Sequence, residues 1–309
     1  MALLFIVILF LPETLRSIVG NGSIRTKSHI TRFPLCLYQR NTSIRWDASS
    51  TLPQPASKKK IDFIGPFQIL FSKQAAPIII VMAIYYTVWQ MSIASMSSLF
   101  AERYGLNAAQ IGLTFIANGV GSMIGTFVTG KILDADYRRV KNKHVAGPTA
   151  SDKELGTFTI TRLDDATNEF PLEKARLRLV PFFAFAQCAS ILLFGWAIHH
   201  SSHVHIALPI VATFVTGWTT ISTQSIIMTY LVDIFPDRSA AASASLNLAR
   251  CLLAAGGTSA VMPLINQIGI GLAFTVCAIV QGVALTGMVV QWKFGGRWRR
   301  EAEIQESKK

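Results

Sequence analysis

Charge is scarce in this sequence. Of 309 residues only 15% are Asp, Glu, Lys or Arg, while 51% are hydrophobic. A soluble globular domain carries roughly a quarter charged residues. The scarcity is uneven: long stretches hold almost no charge, and the charges collect between them. One large soluble core does not produce that pattern, whereas membrane spans joined by polar loops do. Cysteine is also sparse, with only Cys36, Cys188, Cys251 and Cys277. Three of them lie inside apolar runs, no pair has metal-ligand spacing, and no disulfide framework is visible. They read as small apolar packing residues. No nucleophile-plus-base constellation is present, and no carboxylate lies deep within an apolar run. Both absences weigh against an intramembrane hydrolase, which needs buried ionisable groups. The chain is read as no enzyme, with no cofactor and no metal.

What is present is a set of apolar runs with basic loops. The net charge is +12 and the mean hydropathy +0.41. The basic residues form neither one patch nor one basic helix, which argues against nucleic-acid binding. They recur between apolar runs, as loops facing anionic lipid do. Met1 to Pro12 is apolar but reaches only about 18 Å, short of a ~30 Å hydrocarbon core. No basic residue precedes this run, and Glu13 and Arg16 follow where small residues should mark a cleavage site. It reads as the end of a helix. Residues 13–74 are polar and irregular, with Pro34, Pro53, Pro55 and Lys58, Lys59, Lys60, and read as a basic linker.

Six runs of spanning length follow, near 75–98, 109–133, 179–198, 206–231, 240–265 and 269–292. Asn107 with Gln110 makes a capping-box pattern before the second. Pro181 and Pro209 sit in first turns, where a missing N–H is tolerated. Asp237 and Ser239 are candidate caps for the fifth. Loop charge alternates. Residues 13–74 and 131–178 each hold ten Lys and Arg, whereas 199–205 and 266–268 hold none. The positive-inside rule then places the linker and the basic C-terminal tail in the cytoplasm. The glycosylation sequons at Asn21 and Asn41 would face the wrong side for use.

Arg250 is the one formal charge well inside a span, about 15 Å deep. A charge there costs at least ~2.5 kcal/mol on insertion scales, so such residues face a bundle interior or a wet cavity. A substrate or coupling contact competes with a structural arginine bonded to helix carbonyls. Asn247, one turn earlier, shares its face. Thr213, Thr216, Gly217, Thr220 and Gln224 form a polar stripe on the fourth span, which lines a cavity or bonds neighbouring helices. Tyr86, Trp89 and Gln90 share a face of the first span; an aromatic surface with an amide suits an amphipathic organic solute, and a packing seam is the plainer reading. Gly121 and Gly125, four apart, read as close helix packing. His199, His200, His203 and His205 cluster in a loop. A membrane metalloenzyme would need further boxes on the same side, but His29 and His144 are isolated and lie opposite, so a polar external loop is expected.

Several segments together resemble a known family. They are Phe100 to Leu106, Gln110 to Leu113, Gly119 to Gly125, and Gly130 to Arg139 with Asp134, Tyr137 and Arg138. They look like fungal major facilitator transporters, most of all the twelve-spanning drug:proton antiporters of the quinidine-resistance type. Pro12 to Ile24 resembles the end of that family's sixth helix, Phe170 to Arg178 the start of its ninth, and Tyr230 to Pro236 the turn between its tenth and eleventh. The resemblance implies an all-α integral membrane fold: the six-helix C-terminal half of a major facilitator, preceded by the truncated end of a sixth helix. The expected organisation is a helix end at 1–12, a cytoplasmic linker at 13–74, a six-helix half-bundle at 75–295 and a basic cytoplasmic tail at 296–309. The family works by rocking two halves around a central site. Gly130, Asp134 and Arg138 resemble its gate-latching loop motif, whose aspartate meets a helix N-terminus, here one in the other half.

The expected function is proton-coupled export of small organic molecules, in the plasma membrane, by part of a transporter. Tyr86, Trp89, Gln90, Thr216, Thr220 and Gln224 are the cavity candidates, with Asn247 and Arg250 as intramembrane polar groups. The expected partners are a small organic solute, protons, the lipid bilayer and a second transporter half. The alternative is a half-transporter that moves nothing and binds or regulates a partner membrane protein.

Overall fold

The structure is a computed structural model and describes residues 64–146, 176–235 and 238–306. Seven α-helices stand among them: α1 (Gly65–Leu70), α2 (Ala76–Tyr104), α3 (Ala108–Ala146), α4 (Val180–His199), α5 (Ala207–Ile234), α6 (Ser239–Ile268) and α7 (Ile270–Glu306). The helix end at 1–12, most of the linker and the two sequons lie outside the described residues. Each of the six expected runs is a helix, and several run past their apolar limits. α3 continues beyond residue 133, and α7 carries the helix through most of the basic tail. Backbone hydrogen bonding propagates through polar residues as readily as apolar ones, so hydropathy marks the span and not the helix end.

Local chemistry explains most boundaries. α2 and α4 begin with proline in the first two positions, Pro77 and Pro181. The start of α3 is a reciprocal capping box. Gln110 N–H donates to Asn107 Oδ1 at 2.9 Å, and Asn107 N–H donates to Gln110 Oε1 at 3.0 Å. α2 ends on Gly105, whose φ of 60° is left-handed and open to glycine at no steric cost. Gly269, with φ 85°, is the single residue between α6 and α7.

Two expectations need correction. Ser239 does not cap α6; it is the first helical residue, and Arg238 holds the cap position without a side-chain bond. Asp237 lies outside the described residues. Residues 65–70, inside the stretch read as linker, form α1, with Ile69 buried in the core. Pro66 starts that turn, and the apolar group of Phe67, Ile69 and Leu70 gives it a face to bury.

Among the described residues five helices are long and apolar enough to cross a membrane: α2, residues 108–133 of α3, α4, α6, and α7 as far as Trp298. α5 has 28 residues, ample length, but falls short in hydropathy. Its polarity has a structural reason. Thr213, Thr216, Thr219, Thr220, Ser222 and Thr223 are all buried, because α5 is packed between α3 and α4 and also touches α2 and α6. Protein covers its hydroxyl-bearing faces, and the hydroxyls donate to carbonyls of their own helix, as Thr220 does to Thr216 O at 2.7 Å.

Glycine sets the closest approach, between α3 and α5. A Cβ on Gly121 would overlap the backbone oxygen of Phe214. One on Gly125 would stand 2.8 Å from Trp218 O, and one on Gly217 2.6 Å from Asn118 O. The contact carries inter-helix bonds, Asn118 Nδ2 to Thr213 O at 3.1 Å and Thr129 to Ser222 at 2.6 Å between hydroxyls. Aliphatic and aromatic side chains fill the two ends of the bundle. Ile78, Met82, Ile226, Tyr230 and Leu246 meet at one end. Met96, Phe100, Phe194, Ile198 and Phe274 meet at the other. α3 and α6 are the most open helices, with only 22% of their apolar windows buried.

Candidate functional site

The candidate residues on α2 and α6 come together. Tyr86 and Trp89 are one turn apart on α2 and meet edge to face, with centroids 5.4 Å apart. Arg250, on α6, lies over the same Tyr86 ring, its guanidinium carbon 4.7 Å from the ring centroid. Both Tyr86 and Arg250 stand about ten residues into their helices, so they share a depth of about 15 Å. Further along the pair, Gly257 lets α6 close on α2: a Cβ there would run into the Thr87 methyl group. Among the described residues Arg250 has neither ion pair nor hydrogen bond, and its Nε is buried without an acceptor. The indole N–H of Trp89 is likewise buried and unpartnered. The ring quadrupole of Tyr86 is what the arginine charge meets.

The other candidates are not bonded to this cluster. Thr216 and Thr220 are fully buried. Thr216 meets Ser190 of α4 at 2.8 Å and donates to Ala212 O, while Thr220 donates to Thr216 O. Gln224, half-buried on α5, has its Oε1 without a donor. Gln90 is half-buried and Asn247 exposed. No hydrogen bond or ring contact joins Gln90, Gln224 or Asn247 to the Tyr86 cluster. Gly130 sits on α3 with open space where a Cβ would go. The side chains of Asp134 and Arg138 lie outside the described residues.

The histidines have local partners. His199 and His200 pack on Trp196, with His200 stacked at 5.7 Å, and His205 Nδ1 accepts the Ala207 N–H at 3.2 Å. A groove of about 450 Å³ opens between α2, α6 and α7, lined by Ile84, Met91, Leu253, Gly256, Cys277 and Val280 among others. Its α2 residues lie on the face opposite Tyr86 and Trp89, and its walls are almost wholly apolar, so it suits a hydrocarbon chain and not a polar solute.

One buried polar cluster went unread in the sequence. Tyr85 donates from its hydroxyl to Gln281 O at 3.1 Å, and Gln187 Nε2 donates to Tyr85 O at 3.0 Å. Gln187 and Gln281 are fully buried, and Gln187 Oε1 and both amide atoms of Gln281 have no partner. The available signal was a glutamine in the middle of each of two apolar runs.

The major facilitator profile matches residues 1–258, five-sixths of the chain. The chain belongs to the Major Facilitator Superfamily. This facilitator chain is 34% identical over 281 residues to the MFS-type transporter phiL of Fungal sp. (strain ATCC 74256), a match covering 89% of this chain and 64% of the relative. It is 29% identical to Citrate exporter 1 of Aspergillus niger, covering 96% and 54%. With the MFS antiporter QDR2 of Candida albicans it shares 30%, covering 89% and 51%. The facilitator chain thus spans about half to two-thirds of the length of these relatives. No solved structure matches it. The family is one of membrane transporters and not of enzymes, and every regular element among the described residues is a helix.

Proposed function

We propose that this chain takes part in proton-coupled export of small organic molecules across the plasma membrane, with Tyr86, Trp89 and Arg250 meeting the solute. The carrying observation is Arg250, a charge half-way along a spanning helix that rests on an aromatic ring and pairs with no carboxylate among the described residues. Intramembrane charges of that kind face a solute or water pathway. Export is supported by a relative named as an exporter, and coupled exchange by relatives named as antiporters; the proton is this proposal's choice of counter-ion. Gln90, Gln224 and Asn247 widen the polar surface offered to a solute, and Thr216 and Thr220 contribute through the packing of α4 and α5. Gly130, Asp134 and Arg138 latch the cytoplasmic gate against a second transporter half. Residues 13–74 and 296–309 lie in the cytoplasm, as the positive-inside pattern supports.

The test is flux. Proteoliposomes holding the chain, loaded with a fluorescent organic solute, receive a pH gradient. Gradient-dependent efflux that a protonophore collapses, and that Arg250→Gln lowers at least about tenfold, supports the reading; a hydrogen bond to a charged group carries that much. Absence of flux overturns independent transport.

One observation favours a second reading, a half-transporter that binds another membrane protein. Asn247 is exposed on α6, and an amide in hydrocarbon has no partner. Co-purification of a second transporter chain, without flux, would establish it.

A further inference from the structure

We infer that the Tyr86–Trp89–Arg250 cluster selects organic anions, namely monocarboxylates with an apolar or aromatic body. The inference rests on the solute-contact reading above and names the class of solute. What the cluster leaves unsatisfied is donors. Arg250 Nε and Trp89 Nε1 are both buried without an acceptor, and both side chains lie against one ring. A buried donor left unpaired is costly, so the missing component brings acceptors.

Charge narrows the class. α6 contains no acidic residue, and on α2 the only one is Glu102, near its far end. On α5 the only one is Asp233, already paired with Arg176. Among the described residues the positive charge at Arg250 is therefore met by a ring face alone. A cationic solute would be repelled there. A neutral one would satisfy the donors and leave the charge. A carboxylate satisfies both, bringing negative charge for the guanidinium and acceptor oxygens for the unpaired donors, while an apolar body suits the Tyr86 and Trp89 rings. One cation and one neutral donor match a single carboxylate.

The experiment compares three isosteres: benzoate, benzamide and benzamidine. The full chain in lipid nanodiscs binds radiolabelled benzoate, and the other two are added as competitors. The expected result is that unlabelled benzoate competes at least about tenfold better than either. Arg250→Gln abolishes the preference, Arg250→Lys keeps it with weaker binding, and Trp89→Phe weakens benzoate alone. Equal competition by benzamide or benzamidine overturns the inference, as does a preference that survives Arg250→Gln. Should Arg250→Gln not fold, Trp89→Phe decides: weaker benzoate binding with unchanged benzamide and benzamidine competition supports the inference, and unchanged benzoate binding overturns it. Flux on the same preparation separates the two readings. Flux without benzoate preference overturns the anion site and leaves transport standing. Benzoate preference without flux overturns transport and leaves the anion site.

Discussion

Arg176 donates from Nε to Oδ2 of Asp233 across 2.8 Å, joining the residues before α4 to the last turn of α5. A carboxylate at a helix C-terminus meets the negative end of the helix dipole, so Asp233 is unfavourable there alone. Arg176 reverses that. The pair is partly shielded, with side-chain exposures of 11% and 29%. A double-mutant cycle with Arg176→Ala and Asp233→Ala, read by thermal unfolding in detergent, should give a coupling of about 1 kcal/mol, the upper end for exposed pairs. Additive effects of the two substitutions would show the pair to be incidental.

The glycines of α3 differ in what surrounds them, and their alanine variants should differ in sign. At Gly121 a Cβ overlaps the Phe214 backbone, whereas at Gly112 it meets nothing. Gly121→Ala should destabilise by about 1–3 kcal/mol through overpacking. Gly112→Ala should be neutral or stabilise by up to about 1 kcal/mol through helix propensity. Paired melting curves of the two variants check this, and equal shifts would contradict the close α3–α5 contact.

Gln281 offers a test in the opposite direction. Its side chain is fully buried with neither amide atom bonded, and the Tyr85 bond goes to its backbone oxygen. Gln281→Leu removes two unpaired groups and keeps that bond, so stability should rise, by about 1–3 kcal/mol. A lowered melting temperature would mean that the amide is held by a bound water or solute.

At the start of α3, Asn107→Ala removes one bond of the capping box and should cost about 1 kcal/mol. The effect belongs to the first turn, so hydrogen exchange of the amides at 108–111 should quicken while that of α5 stays unchanged.

Much of the fold was legible because lipid imposes a simple rule: backbone polar groups must bond within the helix, and side chains must be apolar over about 20 residues. The six runs, the Asn107–Gln110 cap and the packing role of Gly121 and Gly125 follow from short-range pattern and chain geometry. The helix ends were less legible. α3 and α7 outrun their apolar segments, and α1 arose where only a linker was expected, since burial of Ile69 depends on a neighbour, α6, far along the chain.

The candidate site divides in the same way. Periodicity placed Tyr86 with Trp89, and Arg250 stood out as a charge among apolar residues. The sequence by itself determined the class of protein, the helices and which side chains were costly to bury, because these depend on composition and on spacing within one helix. Only the tertiary structure decided that Arg250 meets Tyr86, that Thr216 turns to Ser190, and that Gln187 and Gln281 lie buried around Tyr85. Those outcomes depend on the rotation and approach of separate helices, and glycine contacts such as Gly257 against Thr87 set them.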